Sequence, residues 1–313
     1  MMLFALQEHL QEHASEAAEK FDAGKTIIEH VSNSGLDHPL IHLPTIAGIN
    51  FSVTKHVLML WLVSAFVFIL LSLTVRRYTR QDRPIPSGFA NALEFLVEWI
   101  RDSIVLPNVG KKWVNTWAPL LLTFFVFILC SNAVGLIPVF EVLGVLDHFV
   151  LHTAEGSFAK QVMHGGTTTT ANFNVTAALA TITFGAIIVA GSRAHGFVTH
   201  WKNLVPGGVS KFVYPILIPI EIMGMFVRPF ALTMRLAANM TGGHIAILAI
   251  LSFVFLFTEL FGRAIAGIGV GLAVSIPLAV GISGLEILVV LIQAYVFTLL
   301  TAVFIGMAIH VHH

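Results

Sequence analysis

Two side chains that can carry charge, Arg235 and His244, begin and end the stretch RLAANMTGGH, which lies between long apolar runs. A charge in hydrocarbon is unfavourable, by about 2.5–3.5 kcal/mol for an arginine at the centre of a membrane helix. Arginine does not lose its proton in proteins. Arg235 can therefore repel protons, hold water, or force a passing carboxyl group to ionise, but it cannot relay a proton.

The counterion of Arg235 is the first question that the sequence raises. No acidic residue lies three or four positions from it, and Glu221 lies fourteen positions before it, which is beyond reach along one helix. One interpretation is that Arg235 snorkels to an interface or pairs permanently with Glu221 or Glu286. The interpretation that the pattern favours is a partner on another molecule that changes during function.

His244 and Glu286 form a second candidate group, because each is a titratable side chain in apolar surroundings. Histidine changes charge near neutral pH, and a carboxyl group in an apolar environment can exchange its proton in the same range. Two such groups that face each other can pass protons along a water path. The alternative is a single structural hydrogen bond between them.

The composition indicates the environment of these residues. Of 313 residues, 56% are hydrophobic and 11% are charged, whereas a soluble domain has about a quarter charged residues. The mean hydropathy is +0.86. A net charge of zero gives no sign of nucleic-acid binding, and the single cysteine, Cys130, excludes a disulfide framework. We predict a membrane protein without a cofactor or a metal site.

Apolar runs long enough to cross a bilayer predict an all-α polytopic membrane protein. Residues 1–54 are predicted to form an extramembrane or amphipathic segment, and residues 55–313 a single membrane domain. An amphipathic helix at the membrane interface is predicted between the first two spans. The five predicted spans are residues 57–75, 117–140, 175–192, 213–262 and 268–310.

The last two spans are too long for a simple crossing, because 45–50 residues of helix extend about 70 Å. Each could be two short spans, or one long helix that is tilted or bent at prolines, and hydropathy does not choose. Polar positions favour a long antiparallel hairpin that turns near residues 264–265. In that register Arg235 lies opposite Gln293, and His244 lies opposite Glu286.

Lysine and arginine counts predict the orientation. Seven lie in residues 76–115 and three in residues 193–211, whereas residues 141–174 contain one. The loops formed by residues 76–115 and 193–211 should therefore face the cytoplasm. The N-terminus should lie outside and the C-terminus inside.

The stretch PFALTMRLAANMTGGH resembles the signature of subunit a of the F-type ATP synthase. The stretch EILVVLIQAYVFTLLT is similar to the last helix of that family. The resemblance extends from about residue 57 to the C-terminus, and SNAVGLIP and ANFNVT also contribute to it. The residues that match the family pattern are Arg235, Leu236, Asn239, Met240, Gly243, His244, Gln293, Ala294, Asn132 and Glu221.

Three positions depart from the family pattern. His244 and Glu286 are exchanged relative to some members, and the exchange argues that they face each other. Some members carry an acid in the outer loop where this chain has Asn172.

The resemblance implies a non-catalytic stator subunit, held by peripheral stalk b subunits against a rotating ring of c subunits in a bacterial inner membrane. Two aqueous half-channels would open to opposite sides, and Arg235 would stand between them to deprotonate ring carboxyls. His244, Glu286 and Glu221 would line the water paths. Gln293 and Asn239 would hold Arg235 or its water, and Asn132 and Asn172 are possible channel-lining residues.

Two other classes of protein compete with this one. A proton-coupled secondary transporter would show internal repeats with broken helices in both halves, and the two halves of this chain differ. An intramembrane enzyme would need a nucleophile beside a histidine, or a cluster of metal ligands. The terminal HVHH is more consistent with a solvated tail.

Overall fold

A computed structural model describes residues 41, 43–46, 49–50, 52–79, 87–136, 168–202, 211–261 and 264–310. The architecture is that of an all-α polytopic membrane protein, as the apolar runs predict. Within these described ranges, five helices are long and apolar enough to cross a membrane. The predicted N-terminal segment lies almost entirely outside the described residues.

A minimal pair of strands precedes the first span. Strand β1 (Thr45–Ile46) pairs antiparallel with strand β2 (Ile49–Asn50). An isolated bridge between Ile41 and Val53 extends this pairing toward the first helix.

The first three spans are single helices. They are α1 (Lys55–Thr79), α4 (Val114–Leu136) and α5 (Phe173–His195). At 1.5 Å per residue each helix is about 35 Å long, enough for the hydrocarbon core. Arg76 and Arg77 lie in the last turn of α1, where cations also interact favourably with the helix dipole.

Between the first two spans lies the predicted amphipathic helix, α2 (Phe89–Ile100). It continues as a π-helical segment (Arg101–Val105) into the short helix α3 (Leu106–Val109). Gly110 ends this stretch with a φ of 79°, a conformation that favours glycine. A short helix, α6 (Phe197–Lys202), follows α5.

The last two spans are α7 (Tyr214–Phe261) and α8 (Ala264–Ile309), each a continuous helix of 48 and 46 residues. The alternative of two short spans in each segment is therefore wrong. Pro219, Pro229 and Pro277 lie within these helices, and the Thr233 hydroxyl donates to the Pro229 carbonyl at 3.0 Å.

The chain divides into two units. The described part of the smaller unit is residues 242–261 and 264–284, which contain the end of α7 and the start of α8. The larger unit comprises Asn33–Thr241 and Leu285–His313.

Aromatic rings fix α8 within the larger unit. Trp99 of α2 stacks on Tyr295 of α8, with ring centroids 5.8 Å apart, and meets Phe125 of α4 edge-on at 6.2 Å. Phe124 and Phe297 meet edge-on at 5.5 Å. Such pairs each contribute about 0.5–1.5 kcal/mol beyond the area that they bury. They therefore define the rotation of α8 about its axis.

The C-terminal end of α8 is held by two histidines. The His195 ring nitrogen Nε2 is hydrogen-bonded to the Ile309 carbonyl at 2.8 Å. The His310 Nε2 is hydrogen-bonded to the Val109 carbonyl at 3.3 Å. Gly306 packs so closely on the backbone of Asn108 that a Cβ would overlap the Asn108 carbonyl oxygen. Helices α3, α5 and α8 are thereby joined at one end of the larger unit.

Candidate functional site

Helix α7 places Arg235 on its exposed face, while Leu232, Leu236 and Met240 are buried in the larger unit. Among the residues that the structure describes, Arg235 has no ion-pair or hydrogen-bond partner. In this exposed position the guanidinium of Arg235 can bind an anionic group that approaches the outer face of α7. The exposed neighbours of Arg235 on this face are Ala231, Met234, Ala238 and Asn239.

One turn beyond Arg235, the Asn239 side-chain nitrogen donates to Gln293 Oε1 at 3.0 Å. Gln293 is 3% exposed, so its side-chain amide is almost completely buried. The predicted register has Arg235 opposite Gln293, whereas the hydrogen bond that forms is with Asn239. The structure brings these two predicted site residues together and leaves the guanidinium outside their bond.

A second arginine of α7, Arg228, lies over the ring of Phe304, 5.6 Å from its centroid. From Arg228 to Asn239 is eleven residues, and from Gln293 to Phe304 is also eleven. The residue numbers of the contacts thus rise along α7 and fall along α8. Within the larger unit, α7 and α8 are antiparallel, as predicted for the hairpin.

The acidic candidates have different surroundings. Glu286 is only 5% exposed, and neither of its carboxyl oxygens has a hydrogen-bond partner among the described residues. Glu221 is half-buried, and no described lysine, arginine or histidine forms an ion pair with it. His244 is half-buried in the smaller unit, whereas Glu286 belongs to the larger one. Their pairing stays a prediction.

The two predicted channel asparagines have distinct local roles. Asn132 of α4 is completely buried, and its side-chain oxygen accepts a hydrogen bond from the Thr170 hydroxyl. Asn172 caps α5, because its side-chain oxygen accepts the backbone N–H of Asn174 at 2.8 Å. The cap accounts for an asparagine at position 172, and the channel-lining role of Asn172 stays a prediction.

Sequence reasoning missed the partner of Asn132. Thr170 is 38 residues away and lies in a short 3-10 turn, Thr169–Ala171. The only signal in the sequence is the run of threonines at 167–170, directly before the third span.

His200 of α6 is buried against α5. Its ring lies where a Cβ on Gly191 would be, so only glycine leaves room for it. Burial lowers the pKa of His200, and the nearby charge of His195 lowers it further. The neutral imidazole is therefore the favoured form at this position.

Across the described ranges, no three histidine, cysteine or carboxylate side chains come together as a metal site. Of the terminal HVHH, only His310 is described, and its ring is used in the bond to Val109. The other histidines of this tail lie outside the described residues.

Comparison with known proteins gives a consistent result. Residues 57–306 match the family described as ATP synthase A chain. The chain is 38% identical over 312 residues to ATP synthase subunit a 2 of Chlorobium luteolum, which covers 97% of this chain and 80% of the relative. It is 38% identical over 293 residues to ATP synthase subunit a of Chlorobium phaeobacteroides (91% and 75%). It is 38% identical over 268 residues to ATP synthase subunit a of Myxococcus xanthus, which covers 85% of this chain and 75% of the relative.

Proposed function

The chain belongs to the ATP synthase A chain family, and from this premise we propose that Arg235 couples proton flow to rotation of a c-ring. Membership makes the chain a multi-pass membrane subunit of the ATP synthase with a general role in proton transport. The finer mechanism is the proposal. In it, the subunit is a non-catalytic stator with two aqueous half-channels, and it contacts ring subunits and peripheral stalk b subunits.

The central step is an encounter between Arg235 and a ring carboxyl. Two opposite unit charges 4 Å apart attract by about 4 kcal/mol at an effective dielectric constant of about 20, which corresponds to about 3 pKa units. The guanidinium thus favours the ionised carboxyl, which releases its proton to one half-channel. Beyond Arg235 the carboxyl group is reprotonated from the other half-channel. The neutral acid can then face lipid.

The observation that carries this proposal is the position of Arg235. Its side chain is exposed on a membrane-spanning helix, and no acid in the described part of the chain neutralises it. A permanent cation in such a place is unfavourable unless another molecule supplies its counterion. The contrast with Arg228, which lies over an aromatic ring, supports a specific requirement at position 235.

The other site residues receive supporting roles. The bond between Asn239 and Gln293 ties the Arg235 segment of α7 to α8, so we assign both residues to positioning the guanidinium. Water paths are assigned to His244, Glu286 and Glu221. Asn132 and Asn172 would line the outer path.

The orientation belongs to the same proposal. Basic residues in the loops after the first and third spans favour a cytoplasmic location for these loops. Five spans then place the N-terminus outside and the C-terminus in the cytoplasm of a bacterial inner membrane.

The decisive experiment replaces Arg235 by alanine in the intact ATP synthase. We expect Arg235→Ala to abolish proton-driven ATP synthesis while c-ring and stalk subunits still copurify with the chain. Arg228→Ala is the matched control, an arginine of the same helix that has an aromatic partner, and it should retain most of the synthesis rate. Normal coupled synthesis by an assembled Arg235→Ala enzyme would contradict the proposal.

The proposed titratable pair has its own experiment. Exchanging His244 and Glu286 in one double variant should restore more synthesis than either single replacement retains. A double variant that is no better than the two single variants would remove the pair from the mechanism.

A further inference from the structure

The short helix α6 presents three large apolar side chains, which we call its apolar face. The exposed fractions are 64% for Phe197, 64% for Val198 and 41% for Trp201. The Phe197 and Trp201 rings meet edge-on with their centroids 6.2 Å apart, so they form one surface. Contiguous exposed apolar side chains mark a surface that meets another molecule or the membrane.

A buried histidine fixes the direction in which the apolar face points. His200 is 7% exposed, and its ring lies where a Cβ on Gly191 of α5 would be. The His200 backbone N–H donates to the Gly196 carbonyl at 2.9 Å, directly after the end of α5. Because the ring enters α5 at one place only, α6 cannot turn about its own axis while His200 is docked.

The apolar face occupies one arc of α6. Successive residues of a helix are about 100° apart around the axis. Measured from the buried histidine, Phe197 therefore lies at about 60°, Trp201 at about 100° and Val198 at about 160°. Thr199 is exposed on the other side of the axis. The helix is thus amphipathic in the orientation that His200 sets.

The position of α6 along the chain places it at the surface of the bilayer. The membrane-spanning helix α5 ends at His195, and α6 begins at Phe197. Gly196 between them has a φ of 88°, a conformation that favours glycine and ends helices. A helix of six residues extends about 9 Å and cannot cross the hydrocarbon. The apolar face of α6 therefore begins at the depth where α5 leaves the membrane.

The charge of the surrounding segment matches that of lipid headgroups. Residues 193–211 contain three basic side chains and no acid, and two of the three, Arg193 and Lys202, are exposed. Basic segments beside a span are attracted to anionic lipids, and a lysine can reach the headgroups while its stem stays on apolar groups. Tryptophan is enriched at the same depth, because its ring is apolar and its N–H is polar.

The size of the apolar face favours lipid over a protein partner. An aromatic side chain buries about 150–250 Å², so two rings and a valine amount to less than about 600 Å². A stable protein interface buries about 800 Å² on each side. Insertion into a bilayer has no such threshold, because the strength of binding scales with the apolar area that is buried.

We propose that α6 is an in-plane membrane anchor, which inserts Phe197, Val198 and Trp201 between headgroups and acyl chains in the leaflet where α5 ends. His200 holds the helix against α5, and lipid holds the apolar face. The start of the connection from α5 to α7 is thereby attached to both protein and bilayer. Membrane insertion of α6 goes beyond the proposed function and does not depend on it.

Spin labels on adjacent residues test the anchor in the assembled ATP synthase, reconstituted in vesicles of phosphatidylcholine and phosphatidylglycerol. Val198→Cys and Thr199→Cys are labelled separately in an otherwise cysteine-free enzyme. Electron paramagnetic resonance then measures collisions of the label with oxygen, which concentrates in lipid, and with a nickel complex, which stays in water. The ratio of oxygen to nickel collisions should be at least about fivefold higher for Val198→Cys, because an interfacial helix buries its apolar face about 5–10 Å deep. Thr199→Cys is the matched control.

The contribution of the two rings is tested with the same label. Adding Phe197→Ser and Trp201→Ser to Val198→Cys should lower the collision ratio to that of the Thr199→Cys label, whereas adding Phe197→Leu and Trp201→Leu should keep it high. An unchanged ratio in the serine variant would overturn the anchoring role of the rings. If the Val198→Cys enzyme does not assemble, a label on Trp201→Cys is compared with Thr199→Cys instead.

Two results at position 198 would overturn the anchor. A label that meets nickel as often as the Thr199→Cys label lies in water. A label shielded from both oxygen and nickel lies against another subunit, which would make α6 a protein contact. Collision rates need no proton transport, so either failure is distinguishable from failure of the proposed function, which the Arg235→Ala enzyme tests separately.

Discussion

The regions around Arg228 and Arg235 lie seven residues apart on one side of α7, yet they differ in what each guanidinium meets. Arg228 is half-buried and lies over the ring of Phe304. Arg235 is exposed and has no ion-pair partner among the described residues. A cation can thus be accommodated on this helix by an aromatic face alone. No ring in the described part of the chain lies over Arg235, which supports the proposal that its partner comes from another molecule.

The largest expected effect in this comparison comes from replacing Arg235 by lysine, with Arg228→Lys as its control. Arg235→Lys should lower coupled synthesis by at least about tenfold, a loss of about 1.4 kcal/mol, because lysine can lose its proton in an apolar site and lacks the planar fork of arginine. Arg228→Lys should retain most of the rate, since an ammonium group also binds an aromatic face. ATP synthesis by reconstituted enzyme measures both. Equal losses in the two variants would remove the distinction between the arginines.

The second prediction concerns the bond that ties the Arg235 region to α8. A double-mutant cycle with Asn239→Leu and Gln293→Leu should give a coupling energy of about 0.6 kcal/mol, the average for hydrogen bonds between membrane helices. Denaturant unfolding of the subunit in detergent measures this free energy. Thr233→Val with Gln293→Leu is the matched control and should show no coupling, because Thr233 bonds to its own helix. A zero coupling energy for Asn239 and Gln293 would count against their bond.

The third prediction concerns the ring contacts that set the rotation of α8 and hence the position of Gln293. Trp99→Leu removes contacts with Tyr295 and Phe125 and should lower stability by about 1–2 kcal/mol. Synthesis should fall in part, because Gln293 would no longer be held toward α7. Trp61→Leu, on an exposed face of α1, is the control. Thermal unfolding that ranks the two variants equally would contradict this role of Trp99.

The smallest effect is expected at α6, away from both arginines. Because burial lowers the pKa of His200, the docked state favours the neutral ring. An undocked histidine has a pKa of about 6.5, so docking is strongest above that pH and weakens as the pH falls below it. Amide hydrogen exchange in Phe197–Lys202, corrected for intrinsic rates, should therefore rise on acidification.

His200→Phe is the control for this pH effect, since its ring cannot take up a proton. Exchange in the variant should not depend on pH beyond the intrinsic rate. The same acid-induced rise in the variant would show that another group is responsible.

Much of the fold follows from hydropathy and length, which predict the five membrane spans α1, α4, α5, α7 and α8. Hydropathy did not choose between one long helix and two short spans for α7 and α8, because both choices bury the same apolar residues. The antiparallel direction was predicted from polar positions. The hydrogen-bond partner of Gln293 lies one turn from the predicted one along α7. Side-chain packing, such as Trp99 on Tyr295, sets how far α8 is displaced along its neighbours, and no periodicity in the sequence reveals it.

The candidate site was predictable to a similar degree. Arg235, Asn239 and Gln293 are conspicuous in the sequence because polar side chains in membrane spans are rare. Thr170 is not, since a threonine can satisfy itself on its own helix and gives no sign of a partner in another. Contacts of that kind depend on tertiary packing between segments distant in the sequence.

The most direct measurement is a cross-link between α7 and the ring in the assembled enzyme. Ala238 shares the exposed face of Arg235, whereas the adjacent Ala237 is buried. In a Cys130→Ala background, Ala238→Cys should form a disulfide with a cysteine placed beside the ring carboxyl, and Ala237→Cys should not. Cross-linking through Ala237→Cys, or through neither position, would contradict the claim that Arg235 meets acids carried by the ring.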